Sequence, residues 1–338
     1  MGLNKRLIDQ AGGGGALVGT DHFGALEYSG NSSTQSISGL DFSPDLVVIK
    51  CSTDTFDPLW FDTERGAPYA LWSTQTYAHQ NDTDSLTSFD SNGFTTSDDN
   101  KTNRSGEDYV AWCWKAGGTG VTNTDGNLST VVRANVDAGF SIVEYTGTND
   151  STNTLGHGLN SAPELIIIKK TSSTGRWSVG VWESGSNVFA MFLNNTEYRT
   201  FNSLFYSSIV PTDSVFTISG WDEINDPFNY IAYCWHSVEG YSKIGTYSGT
   251  GSSNSITTGF APRFVMMRRS SGVGSYIIHS KPPTTGSTST NHLRWNTNSA
   301  SDSGVNERIT FDSDGFTITG TGTNVNGSGE TYIYMAIA

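Results

Sequence analysis

The chain has 338 residues, with 19 Lys plus Arg against 33 Asp plus Glu and a formal net charge of −14. That balance, with no basic cluster, lacks the electrostatic footprint of a nucleic-acid binder, and no stretch approaches the roughly 20 apolar residues that cross a bilayer. With 38 Gly, 12% aromatic and only 35% hydrophobic residues, the composition suits short strands and tight turns, in which ring side chains supply the buried area of small cores.

Residues 1–21 read as a separate arm. Lys5 and Arg6 stand among Leu3, Leu7 and Ile8, ahead of an unbroken glycine run at Gly12–Gly15. The run lacks the Gly-Lys-Ser/Thr ending of a phosphate-binding loop, and the first residues lack the apolar core of a secretory signal. Position 6 is Arg rather than Ser or Thr, which excludes a myristoylation motif at Gly2. A basic and apolar segment before a glycine hinge is expected to anchor the protein by ordering on a partner. Simple disorder is the plain alternative.

From residue 22 the chain repeats itself three times. Each copy opens on a Tyr-x-Gly turn: Tyr28-Ser29-Gly30, Tyr145-Thr146-Gly147 and Tyr247-Ser248-Gly249. Each continues with a proline and an apolar run ending in a base, at Pro44–Lys50, Pro163–Lys169 and Pro262–Arg268. Each closes on an aromatic strand, at Tyr109–Trp114, Tyr230–Trp235 and Tyr332–Ile337. A period of roughly 100 residues is too long for a solenoid unit and suits a complete small domain. The expected fold is therefore all-β: a tandem array of three β-sandwich units over 22–116, 132–237 and 241–338. A Gly-rich linker is expected over 117–131, and residues 236–240, between Trp235 and Tyr241, leave a junction short enough to pack the second and third units rigidly.

Side chains alternate along a strand, so Tyr109, Ala111 and Cys113 should share one face and Val110, Trp112 and Trp114 the other. Both faces are apolar, which calls for cover on both sides. Together with a sequence whose final residues form such a strand, this predicts a homo-oligomer, with a trimer preferred. Asp90-Ser91-Asn92-Gly93 and Asp312-Ser313-Asp314-Gly315 read as hairpin turns in which glycine adopts a positive φ. Cys113 and Cys234 occupy the same slot in two copies and should be buried thiols in separate cores. With Cys51 solitary, the protein reads as folded in a reducing cytoplasm.

Several of these segments carry a resemblance. Trp114–Gly118 leading into Val121–Gly126, Ala138–Gly147, Gly156-His157-Gly158-Leu159, Glu239–Lys243 and Gly327–Tyr334 resemble a family of tail-fibre-like virion proteins of marine bacteriophages, over roughly 22–338. That resemblance implies units of the concanavalin-like jelly-roll kind and a place in the virion. It implies other phage virion proteins as partners, on the tail or the capsid, after synthesis in the host cytoplasm. Repeat two departs from the pattern where Asp222–Phe228 replaces an Asn-x-Ser-Gly turn.

No catalytic constellation is present: the six histidines are scattered, with no His-Glu-x-x-His, Gly-x-Ser-x-Gly or Cys-x-x-Cys. His157, in a Gly-His-Gly turn, reads as a turn residue. Asp62 and Glu64 beside Arg65 read as a structural ion pair rather than a glycosidase pair. The chain is not expected to be an enzyme and no cofactor is called for, though loop acids such as Asp82 with Asp84 and Asp98 with Asp99 are of the kind calcium accepts. The favoured ligand site is the departing loop, where Trp221, Asp222, Glu223 and Asp226 could hold calcium or meet a host-surface glycan, against the plainer reading of a turn that fills space. The functional expectation is a tail fibre or appendage attached through Leu3, Lys5, Arg6, Leu7 and Ile8 that touches the host through sandwich loops. The rival is a capsid-decorating or head-fibre protein with no host ligand.

Overall fold

The computed structural model describes residues 17–183, 187–199, 209–270, 272–280, 288–289 and 291–338. The arm residues Leu3, Lys5, Arg6, Leu7 and Ile8 lie outside them. Among the described residues, helix is confined to the single turns Asn100–Asn103 and Asp222–Asn225 and two 3-10 turns. No helix among them is long and apolar enough to cross a membrane.

The three repeats share one plan. In the first, Phe23–Ser29 pairs with the closing strand Asp108–Trp114, which pairs with the apolar run Leu46–Cys51, followed by Leu59–Asp62 and Tyr69–Trp72. In the second the order is Phe140–Thr146, Asn229–Trp235, Leu165–Lys170, Trp177–Glu183 and Asn187–Phe192. In the third it is Ser242–Ser248, Thr331–Ile337, Phe264–Arg269, Ile277–Ser280 and Leu293–Arg294. All these pairings are antiparallel. A smaller sheet closes each sandwich, built on Gln35–Ser38 with Gly93–Thr96, Thr152–Gly156 with Val215–Ser219, and Asn254–Thr257 with Gly315–Ile318.

The segment 117–131 is more than a linker. Val121–Asn123 pairs with Thr130–Val132, so a hairpin extends the large sheet of the second unit at its edge. The turn glycines also differ from expectation. Gly93 and Gly315 do not take a positive φ. Instead a Cβ at either position would come within 1.9 Å of the Ile37 carbonyl oxygen or 2.0 Å of that of Ile256. Close approach of the neighbouring strand, rather than turn handedness, excludes a side chain there.

Alternation sorts the closing strand as the sequence predicts. Tyr109, Ala111 and Cys113 join Val47, Ile49, Phe61 and Phe94 in the interior of the first sandwich. The second and third sandwiches have equivalent interiors, around Ile166, Ile168 and Ala232 and around Val265, Met267 and Ala336. All three cysteines are buried free thiols. Val110, Trp112 and Trp114 turn the other way, into a fourth core to which all three units contribute.

Trp60 is the hub of that shared core. It is fully buried, with ring centroids 5.3 Å from Trp177 and 5.5 Å from Tyr233 of the second unit and 5.1 Å from Trp295 of the third. Trp114 lies 6.1 Å from Trp235 and 5.9 Å from Phe264. The second apolar face of each large sheet is therefore covered within the chain and needs no second copy to bury it. Light scattering on the purified protein at micromolar concentration is expected to give 36.4 kDa; a mass three times larger would restore the homotrimer.

Polar contacts close the three units into a ring. The base that ends each apolar run is fully buried: Lys50, Lys169 and Arg268. Each reaches a backbone carbonyl of another unit. Lys50 Nζ donates to Asn298 of the third unit at 3.2 Å. Lys169 Nζ donates to Thr76 of the first at 3.2 Å. The Arg268 guanidinium donates to Phe192 and Glu197 of the second at 2.7 and 2.5 Å. The contacts thus run from first to third, third to second and second to first, the head-to-tail pattern of a closed ring. Within their own units Lys50 and Lys169 each donate to two more carbonyls. Burial pulls Lys50 down to about 8 and Lys169 to about 7.

The register gives the ring two ends. Phe23, Trp114, Phe140, Trp235 and Ile337 mark one, where Leu17 packs on the shared core and a Cβ on Gly19 would lie 2.9 Å from the Ala338 carbonyl oxygen. The buried bases and the Tyr-x-Gly turns mark the other.

Candidate functional site

The Asp222–Phe228 segment sits at this second end, and its geometry is common to all three units. The opening and closing tyrosines stack in every unit, with centroids 5.2 Å apart for Tyr28 and Tyr109, 4.9 Å for Tyr145 and Tyr230, and 5.0 Å for Tyr247 and Tyr332. Both hydroxyls donate to carbonyls of the turn preceding the closing strand. Tyr28 and Tyr109 reach Thr102 and Asn100. Tyr145 and Tyr230 reach Ile224 and Asp222, and Tyr247 and Tyr332 reach Val325 and Thr323.

A fully buried asparagine locks each turn: Asn103, Asn225 and Asn326. Its side-chain oxygen accepts the N–H of Asn31, Thr148 or Thr250, just past the Tyr-x-Gly turn. Its amide donates to loop carbonyls, among them Ser33 at 2.6 Å, Asp150 at 2.9 Å and Gly320 at 3.0 Å. The loop that departs from the sequence pattern is thus the same corner as its counterparts.

The glycine of Tyr-x-Gly has its cause here. A Cβ on Gly30, Gly147 or Gly249 would lie 2.2, 2.1 or 2.1 Å from the carbonyl oxygen of Arg104, Asp226 or Gly327. Backbone cannot yield as a flexible side chain would. Gly147→Ala is expected to cost about 1–3 kcal/mol, read as a lower urea midpoint; an unchanged midpoint would mean the corner can open without loss.

The four predicted site residues do not converge. Trp221 is half-buried against the second core, its ring 6.0 Å from Phe192. Glu223 accepts the Arg176 backbone N–H at 2.6 Å. Asp226 pairs with Lys170 at 3.0 Å, whose ammonium also lies 4.9 Å from the Phe228 ring. Asp222 is exposed. Glu223 and Asp226 bind separate partners and Asp222 faces solvent, so the three carboxylates do not form a calcium cage. Among the described residues the one group of three ligand-type side chains that converges is His292, Asp302 and Glu307.

Other expectations resolve structurally. Arg65 pairs with Asp62 at 2.6 Å, and Tyr233 of the second unit donates to the same carboxylate at 2.7 Å. Glu64 pairs instead with Arg133 of the second unit at 2.6 Å. Both pairs therefore help to join two units. His157 is fully buried; its Nδ1 accepts the Leu159 N–H at 3.1 Å and its Nε2 donates to the Thr212 carbonyl at 3.2 Å.

Burial lowers the pKa of His157 to about 4. The unfolded chain binds this proton from about pH 6.5 downward and the folded chain only near 4, so stability falls with pH through that window. The loss from this residue is on the order of 3 kcal/mol. Urea unfolding from pH 7 to 4 should show it, and His157→Gln should flatten that part of the curve; an equal slope in both proteins would discard the assignment.

An open groove stands at the edge of the first unit's large sheet. It encloses about 610 Å³ and is lined by Trp72, Tyr77, Gln80, Asn81, Asp82, Thr83 and Asp84. Tyr77 is 56% exposed. The groove's floor is fixed to the second unit, since the His79 N–H donates to Thr171 at 3.0 Å and the Gly175 N–H to Thr76 at 2.8 Å. The sequence offers Asp82 with Asp84 as loop acids, but carries no signal that the Gln80–Asn81 edge strand brings them together with Trp72 and Tyr77.

Fold and site together define an all-β protein in which three sandwich units form one closed ring. The chain belongs to the family described as a domain of unknown function, DUF7483, which it matches over residues 18–338. No curated protein and no solved structure matches it.

Proposed function

We propose that this chain is a structural protein of a bacteriophage virion, a tail fibre or appendage attached through its N-terminal segment and touching a glycan on the host surface. The groove lined by Trp72, Tyr77 and the 80–84 segment carries the reading. An exposed aromatic face beside amides and carboxylates meets a sugar ring with both of its preferences, stacking on one side and hydroxyl hydrogen bonds at the rim.

The layout supports the same reading. Residue 17 leaves the ring at the end that holds Ala338, whereas the three corners lie at the opposite end and the groove opens at the edge of the first unit's large sheet. An anchor at one pole and exposed loops at the other is the arrangement an attachment protein needs. Because three units already surround one core, a single chain supplies the threefold body that a fibre otherwise builds from three chains. In place of the 221–228 corner, we assign glycan contact to the groove.

Two measurements test this. Labelled antibody on intact particles should mark the tail; marking of the capsid shell would favour a head-fibre or decoration role. Purified protein should bind host cells or extracted surface glycans, and Tyr77→Ala with Asp82→Asn should lower that binding at least tenfold without changing the circular dichroism. Wild-type binding by the double variant would remove the groove from consideration.

A further inference from the structure

We propose that His292, Asp302 and Glu307 form a binding site for a divalent transition cation, with zinc the best fit. The three ligand atoms lie within 4.8 Å of one another. His292 Nε2 is 3.5 Å from Glu307 Oε2 and 3.9 Å from Asp302 Oδ2. Tetrahedral zinc with bonds of roughly 2.0–2.2 Å holds its ligand atoms roughly 3.3–3.6 Å apart. Small side-chain movements bring the trio to that spacing, and a fourth position stays open.

His292 supplies the independent argument. It is 1% exposed, yet among the described residues neither ring nitrogen has a hydrogen-bond partner. Leaving such a group unsatisfied in a core is costly, and here the imidazole faces two carboxylates. A cation between them would satisfy Nε2 and both carboxylates.

The surroundings hold the ligands in place from behind. His292 and Asp302 exchange two backbone hydrogen bonds, each 3.0 Å. The Gly304 N–H binds Asp302 Oδ1 at 2.8 Å, and the Asn324 amide binds Glu307 Oε1 at 2.6 Å. Each carboxylate thus has one oxygen fixed by the protein and turns the other, Oδ2 or Oε2, toward the imidazole. Outer contacts of this kind orient metal ligands. Imidazole among the donors selects against calcium and magnesium, which take oxygen.

Arg294 is the competitor. Its guanidinium lies 3.3 Å from Asp302 Oδ2 and 3.7 Å from Glu307 Oε2, the same oxygens a metal would use. Metal entry therefore requires the arginine to swing outward, and its removal should strengthen binding.

The test uses the full chain, stripped by a chelator and titrated with zinc in a calorimeter. One zinc per chain is expected, with a raised unfolding temperature and no competition from calcium. Asp302→Asn keeps an oxygen for Gly304 and stands at a 45% exposed side chain, so it should fold; it is expected to lower zinc affinity tenfold or more. Arg294→Gln is expected to raise affinity severalfold. The proposal is overturned if the wild type takes up no stoichiometric zinc, if Asp302→Asn binds as tightly as the wild type, or if calcium displaces the zinc.

Discussion

Trp60→Ala is expected to destabilise the protein by about 3–5 kcal/mol, the range for a large ring deleted from a packed core, and to do so in all three units at once. The ring touches Trp177, Tyr233 and Trp295, so the void opens where the units meet rather than inside one sandwich. Native proteins keep only 5–15 kcal/mol in hand, and a loss of this size lowers the unfolding midpoint sharply. Because the shared core joins the units, the chain should melt in a single transition before and after the change. Calorimetry that resolves separate transitions for the wild type, or a variant in which only the first unit melts early, would show that the sandwiches are independent.

Arg268→Leu comes second in expected size. The change leaves the Phe192 and Glu197 carbonyls without their charged donor and takes the cation from above the Tyr276 ring, 4.5 Å away. Hydrogen bonds to charged groups contribute about 1.5–3 kcal/mol each, so a loss of about 3 kcal/mol or more is expected in urea unfolding. Arg268→Lys is the informative control. Lysine occupies this position in the other two units, and it should recover part of the loss. If leucine and lysine at 268 were equally destabilising, the carbonyl contacts would not be the cause.

Much of the fold was legible because strand periodicity is strict. Val110, Trp112 and Trp114 could be assigned to one face and Tyr109, Ala111 and Cys113 to the other from spacing alone, and the repeated proline, base and tyrosine positions aligned the three units. What spacing could not reveal was the occupant of the second face. An apolar face asks for cover but does not name it, and two sibling units serve as well as two further chains. The bases Lys50, Lys169 and Arg268 were visible as a repeated feature, yet nothing in a sequence says that a charge will be buried against carbonyls of a neighbour.

The site residues were less legible, for a related reason. Asp222 to Phe228 stood out by difference in residue type, whereas the corner is defined by what is shared: the tyrosine pair, the glycine and the buried asparagine. Local contrast marked a difference in residue type, not a difference in backbone geometry. His292, Asp302 and Glu307 follow no recognised spacing; a backbone bridge sets His292 beside Asp302, and Glu307 arrives on the 3-10 turn Val305–Glu307. Gly93 shows a smaller version of the limit, since a glycine kept for a neighbouring strand looks in sequence like one kept for a turn.

The closed ring of three non-identical units frees this protein from a constraint on symmetric assemblies. In a homotrimer every substitution appears three times, so a feature useful once must be harmless at two other places. Here the edge hairpin belongs to the second unit, the aromatic groove to the first and the histidine-carboxylate cluster to the third. Each is present in one unit. A threefold body of this kind can present a different surface on every side while keeping one interior.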